Sequence, residues 1–437
     1  MISLMSRALA RLTPRSASGG SPDGATQSQA NAAGLAPASK PLKRAQRRAP
    51  DLDALSQRII LPSMPITDEE MARVAYQDQG QKLARQEMWE ELSSLITEAD
   101  RIRAATPGGE SGAMLLAFGA RSDVVAVAED ALHDGTIPNP DGIYALEAVG
   151  RDHPGDYAIA LVLALTHIDL GWAWRTIPEA TKTAGIEGTE ARFARHFDRA
   201  ETLLAPYCGL TENAPSLAAA QCALLAAAPE PRNRVADFYE DLIDLDPGSP
   251  RHMRALGQNL LPARYGSYQT LELEARRTAA RTGDIWGAGA YTWVYFDALA
   301  LDAEALDLLD TEFFIDGLRD ILRRSPDQHS CNLLAAFCAV TMAPHPDTPR
   351  AQVAQRAALH DCLSWILRDH LHELHPLIWT QALHSPGGAA PLPSRRALIT
   401  EGRQTALRAI AAQFADDISD GSSIAFSPAG MYRLPAL

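Results

Sequence analysis

Asp246-Pro247-Gly248-Ser249-Pro250, then Pro262-Ala263-Arg264-Tyr265-Gly266, then Gly283-Asp284 punctuate the stretch from Asp246 to Leu301, and the reading of that stretch decides the fold. Pro247 and Pro250 cannot continue a preceding helix, and Ser249 stands where its side chain can accept from the free N–H groups of a helix opened by Pro250. That helix is predicted to run through Leu260 and Leu261. A second follows from Ser267 to Thr282, with Leu271, Ala275, Thr278 and Ala279 on one face and Glu272 four residues before Arg276 on the other. Gly283 suits a left-handed stop and Asp284 a cap. The third helix, to Leu301, carries Ile285, Trp286, Tyr291, Trp293, Val294, Tyr295, Phe296 and Leu299, which leaves it apolar nearly all round. A helix of that kind must be enclosed by neighbours. Three helices joined by minimal connections predict an all-α fold.

Outward from this stretch the pattern stays helical. Thr67-Asp68-Glu69-Glu70 puts acids in a first turn and predicts a long helix through Trp89 to about Ala104, broken by Thr106 to Gly112. Residues 114–132 read as two helices, one with Met114, Leu115 and Phe118 and one after Asp123, followed by a loop from Ile137 to Gly142. Helix pairs then follow: Asp156 to Trp174 with Glu190 to Pro206, Ser216 to Ala228 with Asn233 to Leu245, Thr311 to Arg324 with Gln328 to Met342, and Gln352 to Arg368 with a helix around Leu377. Pair starts near Asp156, Pro215, Ser249, Asp284 and Gln328 fall mostly at the roughly 35–45 residues of two-helix repeats. Ser385 to Pro393 is a loop, and Ser394 caps a last helix whose Leu407, Ile410 and Phe414 share a face. β-branched residues are sparse and no two-residue hairpin turn stands between alternating runs, so no strand is predicted. The residues after Ser419 read as an irregular tail.

The segment from Asp241 to Gly257, with its Asp246-Pro247 turn and alternating small and large apolar residues, resembles the join between tetratricopeptide (TPR) repeats. Leu322 to Phe337 is a weaker copy. Leu260 to Ser267, with Asp284 to Gly289 after it, is similar to a family of uncharacterised bacterial TPR-like proteins, a resemblance that brings no reaction with it. The TPR resemblance implies a right-handed α-solenoid of stacked antiparallel helix pairs, irregular because the usual Trp and Gly-Tyr positions are missing from most units. Residues 1–50 then form a disordered basic tail, 51–150 an N-terminal helical region, 151–384 the repeat domain and 385–437 a C-terminal helix and tail.

Composition bounds the function. A chain of 437 residues, 46% hydrophobic, is not a disordered one. No run of eighteen uninterrupted apolar residues occurs, which argues against stable membrane insertion. Arginine outnumbers lysine 36 to 4, read as a GC-rich bacterial coding bias. Net charge is −14, yet residues 1–50 carry +7 and the rest −21, and an acidic body argues against nucleic acid as a partner. In the tail, Arg7 and Arg11 interrupt any secretory apolar core and leave a short basic amphipathic segment from Met1 to Leu12, while Lys40, Lys43, Arg44, Arg47 and Arg48 read as a solvated linker. The five cysteines, Cys208, Cys222, Cys331, Cys338 and Cys362, show no Cys-x-x-Cys. They read as reduced, buried residues of a cytoplasmic protein.

The nearest thing to a reactive cluster is His360-Asp361-Cys362 with Asp369-His370 and His372-Glu373-Leu374-His375, and His384 nearby. It supplies metal-ligand types, but His372 to His375 is one residue short of a zinc helix, and half-exposed histidines near a helix end are the simpler reading. Gly109-Glu110-Ser111 lacks the last glycine and the strand of a nucleophile elbow. Gly287-Ala288-Gly289 lacks the βαβ setting of a dinucleotide loop and fits close helix packing. Trp172 and Trp174 read as core rings, and His167 as a satisfied core or groove residue. In stacked repeats, recognition falls to the surface lined by the first helix of each pair. The candidates there are Arg254, Gln258, Asn259, Arg264, His329 and Asn332. The resulting expectation is a non-enzymatic scaffold, without cofactor, for a protein or peptide partner; the alternative is a metal-binding protein or metal-dependent enzyme using His360 to His375.

Overall fold

The computed structural model of the protein describes residues 52–177, 188–384 and 393–435. The basic tail, with its amphipathic segment and its lysine-arginine cluster, and most of the loop from Ser385 lie outside the described residues. The chain is mostly helical, with helices packed as pairs. Helix α1 (Leu52–Arg58) leads into the two-residue strand β1 (Ile59–Ile60). Helix α2 (Asp68–Arg85) opens on Thr67, whose Oγ1 accepts from the Glu70 N–H. The predicted continuation to Ala104 is interrupted, because Glu87 takes a positive φ of 56° and the chain restarts as α3 (Trp89–Arg101). Ser111 caps α4 (Gly112–His133), a single helix where two were predicted. Helix α5 (Asp141–Asp152) lies where the sequence predicts none; α6 (Tyr157–Arg175), capped by Asp156, and α7 (Thr189–Leu204) follow.

A short α8 (Gly209–Glu212) precedes α9 (Pro215–Leu224), α10 (Val235–Leu245) and α11 (Pro250–Asn259). Ser249 occupies the N-cap position of α11 without capping it; its Oγ points 3.5 Å from the Gly109 carbonyl. Ser267 does cap α12 (Tyr268–Arg281), its Oγ accepting from the Thr270 N–H. The predicted third helix is two: α13 (Gly283–Trp286) ends where Gly287 adopts φ 55°, and α14 (Gly289–Leu301) begins beyond it. Asp284 does not cap α14. Asp320 of α15 (Thr311–Arg324) accepts from the Ala288 N–H at 2.8 Å instead. The remaining helices are α16 (Gln328–Ala336), prolonged by a π turn over Phe337–Thr341, α17 (Val353–Asp369), α18 (Pro376–Leu383), α19 (Arg395–Gln413), capped by Ser394, and α20 (Ala415–Ser419).

The tail is not irregular. Strands β2 (Ser423–Ser427) and β3 (Gly430–Leu434) form an antiparallel hairpin around Pro428-Ala429, and β1 adds in parallel with Ile59 beside Ile424. The hairpin exists because Ile424 and Phe426 alternate into the core and Gly430 accepts φ 121°.

Among the described residues two large apolar cores result, beside a small cluster of Leu132, Ala173, Trp174 and Ile177. The first gathers Leu92, Ile96, Leu116, Leu161, Val162 and Phe197; the second holds Leu256, Tyr291, Trp293, Phe314, Phe337, Trp379 and Ile424. Each has one helix enclosed on all sides. Every residue of α6 from Leu161 to Trp174 is buried, and α14 is buried from Gly289 to Phe296. Helix α6 is long and apolar enough to cross a membrane by length and composition, with 89% of its apolar window enclosed by the rest of the protein. Helices α2 and α4 approach so closely that a Cβ on Gly119 would sit 1.9 Å from the Gln77 carbonyl oxygen. Four cysteines are buried as predicted, whereas Cys208 is exposed, in the link before α8.

Candidate functional site

Helix α11 brings most of the predicted site residues into one neighbourhood. Arg251, Arg254 and Gln258, spaced three and four apart, share a face. Arg254 holds Asp297 of α14 with two bonds, Nε to Oδ2 at 3.0 Å and Nη2 to Oδ1 at 2.7 Å, and Gln258 Nε2 donates to Oδ2 at 2.7 Å. Paired, planar donors of this kind fix both side chains in one geometry. At the N-terminal end of the face the loop from Thr106 to Glu110 comes across from the first core. Arg251 Nη2 lies 2.9 Å from Glu110 Oε1 and its Nε donates to the Gly108 carbonyl at 3.1 Å. Arg73 of α2 clasps the same Glu110 carboxylate, and Glu69 Oε2 accepts from the Gly108 N–H at 2.6 Å. The other oxygen, Glu69 Oε1, is buried without a hydrogen bond, between Arg73 at 3.6 Å and Arg251 at 3.8 Å. Two carboxylates and two guanidiniums balance at this junction, so the cluster ties the cores together with no net charge.

His329, at the start of α16, completes the junction. Its Nε2 lies beside the Glu69 carboxyl around Gly108, where a Cβ would meet both at under 3 Å, and its Nδ1 is buried without a partner. Burial, reinforced by the Arg251 cation, pushes its pKa down to about 3. The ring is therefore neutral at pH 7.

Asn332 and Asn259 lie inside the fold. Asn332 has no exposed surface: its Nδ2 donates to the carbonyls of Gln328 and Glu373, both at 2.8 Å, and its Oδ1 accepts from the His375 N–H at 3.0 Å and Trp379 Nε1 at 2.9 Å. It pins the link between α17 and α18 to α16. Asn259 Nδ2 donates to the Tyr239 hydroxyl and the Ala255 carbonyl, both at 2.9 Å. Arg264 is half-buried in the loop after α11, beside Tyr265 and Tyr239, and burial lowers its pKa.

The His360 to His375 segment does not form a metal helix. His360 Nδ1 is 2.8 Å from the Cys338 carbonyl, His370 terminates α17, and His372 and His375 lie in the irregular link before α18. His375 Nε2 bonds Glu373 at 2.8 Å and His384 Nε2 bonds Glu401 at 2.9 Å. Among the described residues no three His, Cys, Asp or Glu side chains converge on a point that could hold an ion. The physical reason is that Leu371 and Leu374, which alternate with His370, His372 and His375, turn into the core and keep the link from winding into a helix that would stack the histidines.

Two polar features went unread in the sequence. In the first core, Arg121 of α4 is 1% exposed and its Nε meets Asp169 Oδ2 of α6 at 2.6 Å. On another side of α6, His167 Nδ1 lies 3.0 Å from His196 Nδ1 of α7. His167 Nε2 stands 3.3 Å from Glu147 Oε1 of α5, off the line of a full hydrogen bond, and Arg199 Nε holds that oxygen at 2.8 Å. Trp172 packs edge-on to Phe193 and Phe197, as a core ring does. In the second core, Arg319, Arg323, Trp365, Asp369 and His370 line an open recess of about 530 Å³ between α15 and α17. Comparison with protein-family models, with curated proteins and with solved structures finds no match.

Proposed function

We propose that the protein is a cytoplasmic interaction scaffold of TPR-like, α-solenoid character, in which successive helical hairpins present a surface that holds a peptide or partner protein. The observation that carries this reading is the stripe on α11. Arg254 and Gln258 are locked by Asp297 of α14 and Arg251 by Glu110 of the loop before α4, while the two arginine side chains stay 18% and 30% exposed, so they can meet a partner without the entropy cost of ordering free side chains. His329, neutral at pH 7, adds a ring that can accept or donate. Asn259 and Asn332 stand behind the stripe as supports, fixing α11 and α16 from within. Arg264, half-buried in the loop past the end of α11, is a further cation that a partner can meet. A partner that fits is one with acceptors, carboxylates or backbone carbonyls, spaced to meet two guanidiniums.

The test is crosslinking and co-purification from the native host, followed by titration of the purified partner against wild type, Arg254→Glu, and the swap Arg254→Asp with Asp297→Arg. The swap restores the internal pair, so a folded swap variant that binds at least tenfold more weakly supports recognition by Arg254. Undiminished binding by the folded swap variant removes the stripe from the account.

A further inference from the structure

The three-stranded sheet has no part in that reading, and one of its two edges is open. On the β1 side the chain that continues from Ile60 bonds the link before α18, Met64 N–H to the Leu374 carbonyl and Leu374 N–H to the Pro62 carbonyl, both at 2.8 Å. Strand β3 forms the other edge and pairs with β2 alone. The turn decides which of its backbone groups face outward. A two-residue turn at Pro428-Ala429 makes Ser427 and Gly430 a pair that exchanges both bonds, so Gly430, Tyr432 and Leu434 direct their N–H and C=O groups at β2. Met431 and Arg433 direct theirs away from it, and among the described residues nothing bonds those four groups. The next outward position is Pro435, which has no N–H to offer.

This free stretch is symmetric about Tyr432. When it lies antiparallel to a second copy of itself, with Tyr432 facing Tyr432 on a two-fold axis, Met431 of each copy stands opposite Arg433 of the other. Four backbone bonds then form and no outward group is left over. Like charges do not meet, because Arg433 faces a methionine and is held by Asp417 of its own chain at 3.2 Å. Parallel pairing of two copies would not close on itself. The side chains follow the same symmetry. On the outer face of the sheet the register sets Ile60 beside Ala425 and Ala425 beside Tyr432, and Ile60, Tyr432 and Leu434 are 50%, 47% and 41% exposed. Self-pairing continues that apolar row into the second copy and places Leu434 opposite Gly430, where no side chain competes for the space.

We propose that β3 is a self-association strand, by which two copies of the chain join edge to edge about Tyr432 into one six-stranded sheet. Five residues a side are fewer than the roughly 20–30 of a standard interface, so the dimer is reversible and depends on concentration.

Sedimentation velocity of the full chain from about 5 to 500 µM is expected to pass from monomer towards dimer. Tyr432→Lys puts two like charges face to face on the axis and leaves the bonds to β2 in place, so association should weaken at least tenfold. Crosslinking reads the register, in a Cys208→Ser background that removes the exposed native thiol. Facing residues of a non-hydrogen-bonded pair lie about 4.5 Å apart at Cα, within disulfide reach. Tyr432→Cys should therefore crosslink to its own copy in oxidised glutathione, and Leu434→Cys, opposite Gly430, should not. A monomer at every concentration leaves the edge to a strand of some other protein and overturns the proposal. A dimer unchanged by Tyr432→Lys, or crosslinked as readily through Leu434→Cys, overturns it too. Should the variants not fold, hydrogen exchange of the wild type decides. The Met431 and Arg433 amides gain about tenfold in protection between the lowest and highest concentrations if the edges pair, and unchanged exchange there overturns the pairing.

Discussion

Helix α6 and helix α14 are the enclosed helices of the two large cores among the described residues, and they treat polarity in opposite ways. Helix α6 keeps ionisable groups in the middle of the first core. Asp169 faces the buried Arg121, and His167 faces His196. Helix α14 keeps its one charge, Asp297, at the edge of the second core and only neutral polar groups inside it. The hydroxyls of Tyr291 and Tyr295 both reach Glu272 Oε2, at 2.7 and 2.8 Å, and Asp297 meets Arg254 where each side chain is 18% exposed. The enclosed hydroxyl of Thr292 donates to the Phe314 carbonyl at 2.8 Å, and Trp293 Nε1 is buried without a hydrogen bond. An interior charge costs little only while its partner is in place, whereas a rim charge always has water as a fallback. The first core should therefore be the more easily broken by single substitutions and by acid.

The largest expected effect is Asp169→Ala, which strands the Arg121 guanidinium in the first core. It should cost about 3–5 kcal/mol in urea-induced unfolding. A value near 1 would mean that water already reaches this pair. Next is Gly119→Ala, expected at about 1–3 kcal/mol by the same measurement, because the added methyl group collides with the Gln77 backbone and α2 must move away from α4. At the junction of the cores, His329 has a folded pKa lowered to about 3 against 6.5 unfolded, so stability is complete above pH 6.5 and falls by about 1.4 kcal/mol per unit as pH drops from there towards 3. Removing the titrating ring with His329→Gln should flatten that slope in pH-dependent unfolding. The smallest is the second core's own substitution, Thr292→Val, at about 1 kcal/mol, since it removes one neutral hydrogen bond and nearly conserves shape. If Thr292→Val were as costly as Asp169→Ala, the contrast between the two helices would collapse.

Local chemistry was legible in the sequence wherever a short-range rule decides the outcome. Ser267 and Ser394 cap the helices predicted of them, the helix read from Thr67-Asp68-Glu69-Glu70 starts there, and the face of α12 with Leu271, Ala275, Thr278 and Ala279 is buried as its spacing requires. What escaped depends on partners far along the chain. Gly287 ends a helix because Asp320 waits to receive the Ala288 N–H, and nothing near residue 287 announces that. The sheet is still more remote. Ile59 pairs with Ile424, and beside them Arg58 donates to the Gly421 carbonyl across 363 positions, so β1 has no local signal beyond two isoleucines.

The candidate site divides in the same way. Arg254 and Gln258 could be picked out as polar residues on one helix face. Their neighbours Glu69, Arg73 and Glu110 belong to a different part of the chain, and Thr106 to Gly112 carries only the marks of a break. Asn332 looks from its sequence like a surface residue, and it is the saturated centre of four hydrogen bonds because the link before α18 closes over it.

The contrast between the enclosed helices can be put to one measurement, a pair of double-mutant cycles to alanine on Arg121–Asp169 and Arg254–Asp297, read by urea unfolding at pH 7. The account predicts a coupling of about 3 kcal/mol or more for the first pair and about 1 kcal/mol for the second. Equal couplings, or a larger one at Arg254–Asp297, would contradict it.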